Sequence, residues 1–361
     1  MQKVKYMNKA PFFWDKYSDQ PSVIKDKAYK KAMRKKYIFD YVKMLFFSLL
    51  ILPFAILFMK LFKGKNNFSN KEFIGLGVNL DKDDGNNTQQ KLIEELGIKN
   101  LIIRVPLWDI KNIDSYVEFA KSFNEKSFKN ILINIIQDRV HIENHKLLKK
   151  DLDTVFSKFN SFVSEYQVGT TINRAKWGFF AVKEYLEFFK IAQDLRDEKY
   201  KDLKLIGPST IDFEYYYNIR AMFNLYNIKY DKISSLLYVD RRGAPCNTQY
   251  IFFDTKNKID LLYSLCKLSP KSNDKIYITE VNWPLSNTAP YAPTSEKECI
   301  SNEQYVKYMI EYLKIAKKSK KIQKVFWHQL IAPGYGLVDN REGKIIKLPQ
   351  FYALKEVLNE D

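Results

Sequence analysis

From residue 73 onward, short β-branched apolar runs alternate eight times with segments of helical periodicity. The runs are 73–79, 100–106, 130–136, 166–171, 203–208, 234–239, 275–281 and 323–329. Each is nearly continuously apolar, as a strand covered on both faces must be. Apolar positions at helical spacing occupy 89–96, 112–125, 147–164, 179–198, 302–318 and 349–358. Eight such units predict one α/β domain, a (β/α)8 TIM barrel over 72–361. An open doubly wound sheet is the alternative. It normally opens on a glycine-rich phosphate turn, whereas here the first strand runs into VNLDKDDGNN. Nucleotide binding therefore has no support, and no cofactor is expected.

The barrel does not account for the charge. The chain carries a net +17, of which residues 1–66 hold +11, with 15 Lys+Arg against four Asp. Within that stretch, residues 44–59 (MLFFSLLILPFAILFM) pass without a charge, between Lys43 and Lys60. At about 1.5 Å per residue this is a little short of a bilayer core, and Tyr41, Val42, Leu61 and Phe62 can extend it while the lysines snorkel. The expected organisation is a basic arm over 1–43, a membrane segment over 44–62, a linker over 63–71, and the barrel. Residues 1–62 would meet anionic lipid, and nucleic acid is the weaker partner for a basic arm next to an apolar run. Twelve Lys+Arg precede the segment and only Lys60, Lys63, Lys65 and Lys71 follow closely. That asymmetry predicts a spanning helix of bacterial inner-membrane type, with the barrel outside the cytoplasm. A second arrangement breaks at Pro53 and re-enters, keeping the barrel cytoplasmic. The stretch KKYIFDYVKMLFFSLLILPF resembles the re-entrant anchor of monotopic phosphoglycosyl transferases. Cys246, Cys266 and Cys299 show no paired spacing, so no disulfide scaffold is expected.

Barrel chemistry sits where strands end and the following loops begin. The candidates there are Arg104 and Trp108; Gln137, Asp138 and Arg139; Thr170, Thr171, Asn173 and Trp177; Tyr238, Asp240, Arg241 and Arg242; Glu280, Asn282 and Trp283; and Trp327, His328 and Gln329. Glu280 is the sharpest. It closes the apolar strand KIYITE, where a carboxylate needs a partner or a task. Four of the five tryptophans fall in these places, so Trp108, Trp177, Trp283 and Trp327 are candidates to stack against sugar faces.

The blocks YQVGTTINRAKWGF, YITEVNWPL and VFWHQLIAPGYGLVD together resemble the retaining glycoside hydrolases of the large (β/α)8 clan. The resemblance covers roughly 72–358 and implies that Glu280 is the nucleophile, that Arg104 orients it, and that Tyr238 contacts it. In that clan the acid/base glutamate follows an asparagine at the end of strand 4. Here the run is Gly169-Thr170-Thr171-Ile172-Asn173, so the position carries Thr171. Threonine cannot protonate a leaving alkoxide at neutral pH.

A retaining mechanism uses two carboxyls about 5 Å apart. Asp138, Asp240 and Glu214 are candidates for the second. Alternatively, a sugar phosphate or lipid-pyrophosphate sugar has a leaving group that departs as an anion, and Arg139, Arg174, Arg241 and Arg242 could stabilise it. His141 and His145 in QDRVHIENH lack a third ligand at a known spacing, so no metal site is expected. The sequence thus describes a membrane-anchored glycoside-hydrolase-like protein acting on cell-envelope polysaccharide or lipid-linked glycan. The alternative is a glycan-binding pseudo-enzyme in envelope polysaccharide biosynthesis.

Overall fold

In a computed structural model describing residues 12–124 and 129–360, eight parallel strands close into a barrel. They are β1 (Ile74–Val78), β2 (Asn100–Pro106), β3 (Asn130–Ile136), β4 (Glu165–Val168), β5 (Lys204–Ile211), β6 (Lys232–Leu236), β7 (Ile276–Val281) and β8 (Ile322–Trp327). Each pairs with its sequence neighbours, and β8 closes on β1 through Val325–Ile74 and Trp327–Leu76. The apolar runs bury one face on the surrounding helices and the other inside the barrel. There Ile102, Leu132, Ile206, Tyr277 and Phe326 form a separate inner cluster. Gly75 leaves room for that plug, since a Cβ there would lie 2.5 Å from the Phe326 ring.

Three strands stop two or three residues earlier than their apolar runs suggest. β4 ends at Val168, β6 at Leu236 and β8 at Trp327. After β4 the chain turns out of the sheet at Gly169 (φ +80°) and Thr171 (φ +50°), both in the left-handed region. The residues beyond these three ends build loops over the barrel mouth.

The N-terminal segment does not stand apart from the barrel. Residues 1–11 of the expected basic arm lie outside the described residues. Residues 14–21 form a minimal hairpin, pairing Trp14 with Pro21 and Asp15 with Gln20. Helix α1 (Lys27–Lys36) follows, capped by the Asp26 carboxylate, and then α2 (Ile38–Phe58).

Helix α2 runs through Pro53 as one helix, so the break that the re-entrant alternative requires is not found. It lies along the barrel flank against the helices Tyr215–Met222 and Thr255–Leu268. Near its start, buried Asp40 accepts two bonds from Arg220 (3.0 and 2.7 Å) and one from the Lys183 amide (2.8 Å). Just past its end, Lys321 donates to the Met59 carbonyl (3.2 Å) and to Asp260 (2.6 Å), which also pairs with Lys60. Ala55 is fully buried on the barrel side, while Phe39, Leu49 and Leu57 are 66–79% exposed on the other. The helix is long and apolar enough to cross a membrane, yet both of its ends are tied to one barrel.

Candidate active site

Glu280 is the next-to-last residue of β7, at the barrel mouth. Arg104, from β2, places Nη2 2.8 Å from its Oε2, and the Tyr238 hydroxyl donates to Oε1 at 2.7 Å. The site therefore holds one carboxylate between a guanidinium and a phenol, both oxygens engaged. Burial pushes the Glu280 carboxyl up, but neighbouring His328, the charge of Arg104 and the hydrogen bonds from Tyr238 and Arg104 outweigh it, and the group titrates below its ordinary value. At neutral pH His328 is itself uncharged, because burial and neighbouring Arg104 lower it to about 3. Its Nε2 lies 3.2 Å from Arg104 Nη2. Burial and the Glu280 charge push the Tyr238 phenol well above its ordinary value, so it stays a donor. The Arg242 guanidinium lies 3.7 Å from the Tyr238 ring centre and steadies it.

A cavity of about 210 Å³ opens over Glu280, and Arg104, Thr171, Trp177, Tyr238, Asn282 and His328 line it. Of the expected residues, the structure thus gathers Glu280, Arg104, Tyr238, Thr171, Trp177 and Asn282 in one place. Asn282 donates to the His328 carbonyl at 2.6 Å, bridging the ends of β7 and β8. Asn173 donates to the Ile211 carbonyl and to Glu214, fixing the loop after β4 against β5. Trp108 lies across the mouth, where it lines a second cavity of about 220 Å³.

Several candidates lie elsewhere. Trp283 and Trp327 are fully buried and stacked on one another at 5.8 Å. They form the packed layer under the mouth and offer no face to a sugar. Asp138 is fully buried and caps the helix Arg139–Glu143, accepting from the His141 amide (2.9 Å) and lying 2.7 Å from its Nδ1. The other ring nitrogen meets Asp151 at 2.9 Å, so this histidine clamps two helices together. Asp240 and Arg241 lie in a short turn beside Gln249, which donates to Asp240 at 2.9 Å. Glu214 is held by Asn173 (2.7 Å) and Arg174 (2.6 Å). No group of three or more metal-ligating side chains occurs among the described residues.

Other groups in the mouth were not singled out by the sequence. Lys176, five residues after Thr171, lines the Glu280 cavity, where burial and then Arg174 lower it to about 8. Asp212, just past β5, pairs with Arg174 (2.7 Å) and Arg242 (3.3 Å). Most unexpected is Asp19, carried in from the N-terminal hairpin. It is 4% exposed. Its carboxylate accepts from Lys82 (3.1 Å), Gln329 (3.1 Å) and the Tyr335 hydroxyl (3.1 Å), and its carbonyl accepts from Arg104 Nη1 (3.3 Å). Trp14 of the same hairpin packs on Trp108 (5.3 Å) and Trp177 (5.8 Å). The aromatic run FFWDKY within an otherwise basic arm was the available signal that this segment packs.

Known structures share this fold. The family 1 β-glucosidase from Thermotoga maritima superposes with a TM-score of 0.60 at 13% identity, over 82% of this chain and 99% of that one. The β-glucosidase from the same organism in complex with deoxynojirimycin matches at 0.58 and 13%, with the same coverage. Its complex with glucoimidazole matches at 0.59 and 12%, again over 82% and 99%. The chain therefore has a glycoside-hydrolase-like (β/α)8 fold. No protein-family model matches the chain, and neither does any curated protein.

Proposed function

We propose that the protein cleaves or transfers glycosyl groups by a retaining mechanism, with Glu280 as the nucleophile. The observation that carries this reading is the clamp on Glu280. A carboxylate ionised at neutral pH, oriented by Arg104 and Tyr238, and facing a cavity is suited to attack an anomeric carbon. Binding of deoxynojirimycin and glucoimidazole by the β-glucosidase of the same fold supports a carbohydrate substrate. The bond to the leaving group breaks as the Glu280–carbon bond forms, and water or a second sugar then displaces Glu280. Thr171 supplies no proton, so leaving groups that depart as anions are favoured, a lipid-linked sugar among them. Lys176 and Arg174, beside Thr171 on the same loop, would offset that charge. The test is turnover of 2,4-dinitrophenyl glycosides by the full chain. Glu280→Gln should lose at least about 10³-fold of that activity, by analogy with removal of other nucleophiles; unchanged turnover would overturn the assignment.

A second reading is a glycan-binding protein that does not turn over its ligand. Thr171 at the acid position and the hairpin across the mouth favour it. It predicts sugar binding that survives Glu280→Gln.

The outer face of α2 suits a lipid surface on the membranes of the cell envelope. Its exposed Phe39, Leu49 and Leu57 lie between the cations of α1 and Lys60. Because α2 is fastened along the barrel, it would lie in the interface rather than cross it. Phe39→Asp with Leu49→Asp should move the protein from the membrane fraction to the supernatant. Retention of the double variant would contradict this placement.

A further inference from the structure

The hairpin carrying Asp19 divides the barrel mouth. Asp19 and Arg104 line both cavities, one over Glu280 and one walled by Trp108, Asp81 and Asp109. Withdrawing residues 14–21 would join the two into one groove with Glu280 on its floor.

What the hairpin inserts into that groove is a carboxylate. The groups around it all belong to the barrel: Lys82 from the loop after β1, Arg104 from β2, and Gln329 and Tyr335 from the loop after β8. The Gln329 amide is itself positioned by Asn79, which donates to its Oε1, and the Tyr335 ring stacks on His328 at 5.4 Å. These donors are therefore fixed independently of the hairpin.

The cation beside the Asp19 carboxylate is Lys82, at 3.1 Å, while burial and then Asp81 push that carboxyl above its ordinary value. Arg104 and Glu280 neutralise each other. Lys82 is 14% exposed, and its other acidic neighbour, Asp81, is 59% exposed, where a pairing is worth little. Without Asp19, a largely buried ammonium would keep only the exposed Asp81, at 3.2 Å, beside an amide N–H and a hydroxyl. Asp19 itself reaches the site only by adopting φ +49°, a conformation an aspartate holds at some strain. It comes from a hairpin of two-residue strands, too short to fix its position by register, so contacts such as Trp14 on Trp108 and Trp177 hold it.

We infer that Lys82, Gln329, Tyr335 and Arg104 form a subsite for the carboxylate of an acidic sugar, which Asp19 occupies as an intramolecular substitute. The substrate is then a glycan containing uronic acid, placed with its carboxylate on Lys82 and its anomeric carbon toward Glu280. The substrate class rests on the glycosyl-transfer reading above, whereas the subsite does not. The hairpin competes with substrate, and releasing it is part of opening the site.

The test compares the full chain with Asp19→Gly in detergent. Glycine suits the positive φ and removes the competing carboxylate without adding a group to the cradle. Binding of methyl glucuronide, galacturonide and mannuronide, and of the matching neutral hexosides, is read from the fluorescence of Trp14, Trp108 and Trp177. Glu280 labelling by 2-fluoro-glycosyl and 2-fluoro-uronosyl donors is measured in parallel. At least one uronide should bind Asp19→Gly about tenfold or more tighter than wild type and about tenfold tighter than its neutral counterpart, the loss expected when a buried charge lacks its partner. Adding Lys82→Met should abolish that preference. If Asp19→Gly melts well below wild type, Asp19→Asn is the second variant, with the same preference expected at smaller size. Equal binding of neutral and acidic sugars, with Glu280 still labelled, would overturn the carboxylate subsite and leave glycosyl transfer standing. Uronide binding without label would support the subsite and contradict turnover. Neither binding nor label in a folded variant would overturn both.

Discussion

At the end of β7 a carboxylate lies 2.8 Å from a guanidinium and 2.7 Å from a phenol, whereas past the end of β4 the facing position carries a threonine whose hydroxyl meets that of Thr170 at 3.4 Å. Both residues line one cavity. One end is built to hold charge, through neighbours from β2 and the β6 loop. The other keeps the backbone turn, with Thr171 at φ +50°, but not the acid that a retaining site would place there. A site of this kind can form a covalent bond to a sugar while doing little for a poor leaving group. On the proposed reading of Glu280 as nucleophile, the difference concerns which substrates react.

The largest expected effect comes from making the two ends alike. Thr171→Glu would restore a proton donor over the cavity at a position whose left-handed backbone already tolerates a side chain. Turnover of glycosides with poor leaving groups should rise by about 10²–10⁴-fold, the usual worth of general acid catalysis, while dinitrophenyl glycosides should change little. No gain on poor leaving groups would show that this end of the cavity does not face the glycosidic oxygen.

Next in size is a change beneath both ends. Trp283→Ala should cost about 3–5 kcal/mol of stability, read from the denaturant midpoint, because the ring is fully buried and stacked on Trp327. If Trp283 were a sugar platform, sugar affinity would fall instead and stability would barely move.

The smallest effect sharpens the β4 side. Burial holds Lys176 at about 8, so its ammonium is present below that pH and lost above it. Glu280 is depressed, so it is ionised from mild acid upward and contributes no alkaline limb. The share of the charge proposed to come from Lys176 therefore disappears as pH rises through about 8, and the rate on dinitrophenyl glycosides should decline there. Lys176→Met should flatten that decline; an unchanged profile would remove Lys176 from the mechanism.

These two ends also show what a sequence can and cannot say. The apolar strand KIYITE announced both its fold and its carboxylate, because a charge at the end of a run buried on two faces needs a reason. The barrel was legible for the same reason, since eight doubly covered strands leave a strong local pattern. The tryptophans were not. Trp283 follows Glu280 by three residues, yet it points into the layer below, and only the packing of β7 against β8 decides that. Asp138 likewise stands at a strand end but is consumed by capping a helix. Asp19 was invisible, because two-residue strands leave no periodicity and its partners, Lys82 and Gln329, lie 63 and 310 residues away along the chain. Helix α2 was legible as apolar but not as lying on the barrel, since the ion pairs that fasten it, Asp40–Arg220 and Lys60–Asp260, span 180 and 200 residues.

The decisive measurement is the mass of the peptide bearing Glu280 after the full chain, wild type and Asp19→Gly, reacts with 2-fluoro-glycosyl and 2-fluoro-uronosyl donors carrying dinitrophenyl leaving groups. A glycosyl adduct on Glu280, formed faster in Asp19→Gly and absent from Glu280→Gln, is the predicted result. A folded protein that leaves Glu280 unmodified across neutral and acidic donors, or that carries the adduct on another residue, would contradict the assignment of Glu280 as the nucleophile.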